Sequence, residues 1–97
     1  MRYNRKKLFD KQYVRVLRNL LSIDNWSGSV SDILAENFFV FDRNGAYSTI
    51  LREAESPKRR RLIDVLCGIG ALTDRRHMKV KKDIERLLQA ENITCPN

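Results

Sequence analysis

The stretch "ALTDRRHMKVKKDIERLL", residues 71–88, admits two readings, and the fold turns on which one holds. With a period of two, residues 71–73 and 77–80 form short strands around a "DRR" turn, and a last helix follows on Ile84, Leu87 and Leu88. With a helical period, one helix begins at Thr73 or Asp74 and sets Met78, Ile84 and Leu88 on a common side. The first reading builds a tight two-stranded wing that carries cations, and the second makes the chain wholly helical. Local pattern leaves both open.

Immediately before it, "SPKRRRLIDVLCGIG" (residues 56–70) is the most clearly marked helix of the chain. Ser56 suits the N-cap, and Pro57 suits the first helical position, where its missing amide costs nothing. Leu62, Val65, Leu66 and Ile69 form a stripe for burial, and Gly68 and Gly70 mark the end. Lys58, Arg59, Arg60 and Arg61 fall on the first turn. There the helix dipole is positive and disfavours cations unless an anion comes to them. Asp64, three and four residues beyond Arg61 and Arg60, offers part of that compensation.

Farther upstream the helical pattern continues. In residues 8–23, Leu8, Val14, Leu17, Leu20 and Leu21 make an amphipathic stripe, with Arg15 and Arg18 facing away. "DNWSGS" (24–29) breaks the period, Trp26 reads as an apolar plug at the junction, and Ser29 or Ser31 suits the cap of a helix over "DILAENFFVF". Asn44-Gly45 is a strong hairpin signal between residues 38–41 and 46–50. Two helices are favoured there instead, with Asn44 and Gly45 left-handed between them. Tyr47, Ile50, Leu51 and Ala54 recur at helical spacing, and "LREAE" is rich in helix formers. The expected fold is mainly α, with four to five short helices and, as an option, a small two-stranded wing of the winged helix-turn-helix kind. A basic arm over residues 1–7, one compact domain over 8–90 and a tail over 91–97 complete the expected organisation.

Composition narrows the function classes. A chain of 97 residues with 42% hydrophobic content builds one modest core. No stretch approaches the roughly 18 apolar residues of a membrane span, and "MRYNRKKLFDKQ" lacks the apolar segment of a secretory signal. The two cysteines, Cys67 at a core position and Cys95 in the tail, support neither a disulfide framework nor a four-ligand zinc site, so a reducing, intracellular setting (cytoplasmic or nuclear) is expected. His77 stands alone, the acids are scattered, and "GIGA" follows a helix instead of opening one, so no enzyme, metal site or cofactor is expected.

Charge is the remaining signal. The net charge is +7, but residues 19–55 carry two Lys/Arg against six acids, while residues 1–18 carry seven against one and residues 56–97 carry ten against five. Clustered cations raise the local potential and release condensed counterions on meeting phosphate. The expected partner is therefore nucleic acid, DNA ahead of RNA. Lys58, Arg59, Arg60 and Arg61 are expected to grip it at a helix start, and Arg75, Arg76, Lys79, Lys81 and Lys82 to assist along the wing. A protein partner or a homodimer is the other expectation.

Two resemblances sharpen these expectations. "KRRRLIDVLCGIGAL", within residues 58–72, resembles the recognition helix of the cell-cycle winged-helix transcription factors that dimerise with DP partners. Arg60, Arg61, Asp64 and Ile69-Gly70 are the matching positions, and Ile63 stands where that family usually has tyrosine. The resemblance implies DNA binding and transcription regulation, with the paired arginines reading guanine edges. "DILAENFFVF", "YSTIL" and "KRRRLIDVLCGIG" in that order are also similar to the central helices of a caspase-recruitment domain. That likeness implies a six-helix death-fold module for protein–protein interaction through opposite charged patches.

Overall fold

The computed structural model describes residues 5–23, 28–71 and 75–95. Six α-helices occur among them: α1 (Arg5–Leu21), α2 (Gly28–Glu36), α3 (Phe38–Arg43), α4 (Ala46–Leu51), α5 (Pro57–Gly70) and α6 (Met78–Ala90). A 3₁₀ turn at Arg75–His77 leads into α6. Trp26 lies outside the described residues.

The helical period wins at residues 78–88. His77 closes the 3₁₀ turn and residues 78–80 open α6, so the expected second strand is helical, and no strand occurs among the described residues. The physical reason is that Val80, Ile84, Leu87 and Leu88 sit four, three and one residues apart and meet the core on one face. The lysines, glutamate and arginine between them are good helix formers. A ribbon with a three-residue first strand has little to oppose this. Met78, expected on the buried side, is instead 49% exposed. Residues 72–74 lie outside the described residues.

Residues 38–51 are two helices and not a hairpin. Gly45 alone takes the left-handed conformation (φ 71°), while Asn44 stays at φ −90° and its side-chain amide donates to the Val40 carbonyl at 2.7 Å. One glycine is enough to turn the chain there. Ser29 and Ser31 fall inside α2, which starts at Gly28, so neither is its cap.

The core gathers one stripe from each helix. Leu17 and Leu21 of α1, Val30 and Leu34 of α2, Phe38 and Phe41 of α3, Tyr47, Ile50 and Leu51 of α4, Leu62, Leu66 and Ile69 of α5, and Ile84, Leu87 and Leu88 of α6 are buried. Val14, Leu20 and Val65, expected in the same stripes, are only partly buried. Aromatic rings fill the middle: Phe38 stacks on Tyr47 with centroids 5.0 Å apart, and Tyr13 meets Phe41 edge-on at 6.1 Å. Tyr47 is wholly buried, and its hydroxyl donates to the Leu34 carbonyl at 2.9 Å, satisfying an acceptor near the end of α2.

The expected arm and tail are partly built into this body. Residues 5–7 belong to α1. Beyond α6, Asn92 is left-handed (φ 57°), its amide donates to Gln89 and the Ile93 amide donates to Leu88, the paired bonds of a Schellman ending. Ile93 and Cys95 then lie against the core. Cys95 and Cys67 form a disulfide with Cα atoms 5.7 Å apart. The sequence supported no disulfide framework, and this single bond forms between a core position and the chain end. The pairing was invisible in the sequence because 28 residues separate the two positions and only the return of the chain along α5 brings them together. No helix among the described residues is long and apolar enough to cross a membrane.

Candidate nucleic-acid interface

The start of α5 is held as its sequence demands. The Ser56 hydroxyl oxygen accepts from the Arg59 amide at 3.0 Å, with Pro57 at the first helical position. The same hydroxyl donates to Glu53 at 3.3 Å, and Glu53 in turn pairs with Arg18 of α1. A chain of polar contacts thus ties α1 to the N-cap of α5.

The four cations of the first turn divide by task. Arg59 Nε donates to the Leu51 carbonyl at 2.9 Å, at the C-terminal end of α4. Arg61 Nη1 donates to the carbonyls of Leu21 at 2.6 Å and Ile23 at 2.8 Å, just where α1 ends. Helix C-termini are negative, so both guanidiniums gain from α1 and α4 the compensation that their own helix start denies them. Lys58 and Arg60 have no carboxylate within ion-pairing distance among the described residues. Arg60 and Arg61 share a cleft with Glu55 and Asp64.

The second expected group lies at the other end of the α5–α6 pair. Arg52, just before α5, makes a two-point ion pair with Glu91, just after α6, so the start of α5 sits beside the end of α6. Lys79, Lys81 and Lys82 occupy the opening turns of α6 and Arg75 the 3₁₀ turn before it, about 15 Å away along the helices. Arg75 and Lys82 are exposed, and the Lys79 ammonium lies 4.9 Å from the centre of the Phe39 ring. The Arg76 side chain is outside the described residues. The two expected basic groups therefore sit at opposite ends of the α5–α6 pair.

Carboxylates crowd the start of α6. Asp32 and Glu36 of α2 line a cavity of about 410 Å³ together with Ala35, Phe39, His77 and Val80. Nearby, burial and then the Asp83 carboxylate push the Asp42 acid above its ordinary value. Asp83 Oδ2 and His77 Nδ1 are buried without a hydrogen-bond partner. Among the described residues no group of three or more His, Cys, Asp or Glu side chains is placed to hold a metal ion.

A different basic surface forms between α1 and α4. Val14, Arg15, Arg18, Asn19, Asn44, Gly45, Ser48, Thr49, Arg52 and Lys58 line a groove of about 870 Å³. Four of these side chains are cationic and none is acidic. Of the residues expected from sequence only Lys58 takes part. Arg15 and Arg18 were legible as the polar face of α1, whereas Arg52 sits in the acidic middle of the chain and carried no local signal.

The chain matches no protein-family model, no curated protein and no solved structure. The functional reading rests on these surfaces alone.

Proposed function

We propose that this protein is a small basic nucleic-acid-binding protein, DNA ahead of RNA, that acts in regulation by gripping phosphate and not by catalysis. The observation that carries the reading is the cationic surplus left outside the fold's own contacts. Arg59 and Arg61 are engaged on backbone carbonyls, but Arg15 on α1 and Lys58 and Arg60 on α5 have no carboxylate partner among the described residues. Cations left in water are the groups that exchange counterions for phosphate at little structural cost. With no strand among the described residues and 78–80 in α6, the contacts come from helix ends and helix faces. The guanine-reading role implied for Arg61 competes with its hold on the end of α1.

The test is equilibrium binding to labelled duplex and single strands across a salt series. Five or six phosphate contacts give a slope of log affinity on log salt of roughly −5. Failure to bind either nucleic acid at low salt would remove the reading.

A second reading, a death-fold-like adaptor or inhibitor, has its own support. The six α-helices among the described residues match the number that resemblance implies, and the acids Asp32 and Glu36 lie on the α2–α6 side while Arg15, Arg18 and Lys58 lie on the α1–α4 side. An adaptor self-associates or captures a protein partner, and loses that association on Asp32→Lys with Glu36→Lys. Nucleic-acid binding has no such requirement.

A further inference from the structure

We infer that the groove between α1 and α4 is where the sugar–phosphate backbone sits, an assignment that rests on the nucleic-acid reading and names its site. Arg15 and Arg18 reach it from α1, Arg52 from the end of α4 and Lys58 from the first turn of α5. Charge from three separate segments thus converges on one concave surface, which a solvated helix face does not achieve.

Two of the four cations are already oriented. Arg18 bonds Glu53 through Nε and Nη2, and Arg52 bonds Glu91 in the same way, both through the edge formed by those two nitrogens. Both carboxylates lie outside the groove lining, so they fix each guanidinium while leaving Nη1 to a ligand. A fork held in place loses less freedom when it meets a phosphate oxygen. Arg15 and Lys58 carry no such partner among the described residues and supply the uncompensated charge. Asn19 and Ser48 line the same surface, and neither makes a side-chain hydrogen bond among the described residues, so their donors are also unused.

The lining also says how the ligand is read. Among the described residues it contains no aromatic side chain on which a base could stack. Contacts therefore go to the backbone, which carries no sequence information, and unrelated sequences bind alike. The start of α6 is the weaker rival, because Asp32 and Glu36 line the cavity beside it and repel phosphate.

The experiment compares the full chain with Arg15→Gln/Lys58→Gln and with Lys79→Gln/Lys82→Gln, using fluorescence anisotropy on two labelled strands of unrelated sequence and their duplexes. Only variants that melt like the wild type enter the comparison. Arg15→Gln alone, at an exposed position, serves if the double variant does not fold. The groove variant is expected to bind about tenfold more weakly to every strand and to lose about 2 from the salt slope, while the α6 variant stays within about threefold. The charge-preserving Arg15→Lys/Lys58→Arg variant should restore binding. Wild-type binding that survives the groove variant, or falls equally with the α6 variant, overturns the groove and leaves the nucleic-acid reading standing. Absence of wild-type binding at low salt overturns the reading itself.

Discussion

Asp42 is held where its charge is unwelcome. Burial comes first and the Asp83 carboxylate second, and both raise its pKa above the ordinary 3.8. The folded protein therefore binds this proton more tightly than the unfolded chain does. The group's contribution to stability is fully present below the ordinary value and is lost as pH rises through the raised one. Asp42→Asn should accordingly raise the melting temperature at neutral pH and have little effect in acid, which melts at several pH values would show. An equal gain at every pH would rule out the electrostatic cause. Glu55 is a second strained position, since it is non-glycine at φ 36° in the short link before α5. Glu55→Gly removes the Cβ conflict and should stabilise the fold by about 1 kcal/mol, read from denaturant melts. Tyr47 shows the opposite economy: burial and then Asp42 push its phenol far up, so it stays a neutral donor to Leu34 throughout the ordinary pH range.

At the scale of the elements, short helices expose many unpaired carbonyls, and this chain answers them with side chains. Tyr47 serves α2, Arg59 serves α4 and Arg61 serves α1, while the Asn37 and Asn44 side chains add a second donor to the Ile33 and Val40 carbonyls that their own amides already reach. The basic run that reads as a ligand grip is thus in part a pair of caps for helices distant in sequence. Arg61→Met keeps the apolar stem but leaves the Leu21 and Ile23 carbonyls without their donor. It should cost about 1–2 kcal/mol and loosen the end of α1 first, visible as faster amide hydrogen exchange there than in α6. Uniform acceleration across all helices would show that the cap is not local. The N-cap of α5 was legible because Ser-Pro acts within one turn, whereas the partners of Arg59 and Arg61 lie 8 and 40 residues away and leave no local pattern.

For the molecule as a whole, the Cys67–Cys95 bond closes a long loop and pins the chain end to α5. Such a crosslink restricts the unfolded chain and is worth about 2–4 kcal/mol. Full reduction, or Cys95→Ser, should lower the melting temperature by roughly 10–20 °C while leaving the helical circular-dichroism signal intact at low temperature. A melting temperature indifferent to reductant would show that the bond adds nothing to stability. Because the Schellman turn and Ile93 also hold the segment, Arg52 should keep its Glu91 partner after reduction.

The sequence by itself determined the helical class, the start of α5 and most of the core. These depend on caps, spacing and propensity, interactions that operate within a turn or two of the chain. The choice at residues 78–88, the disulfide and the assembly of the α1–α4 groove were decided only by tertiary structure. Val80 commits to a helix because α5 and its neighbours offer a core for Ile84, Leu87 and Leu88 to enter. Arg15, Arg52 and Lys58 come from a basic segment, an acidic segment and a helix start, and three-dimensional packing alone places their charges around one surface.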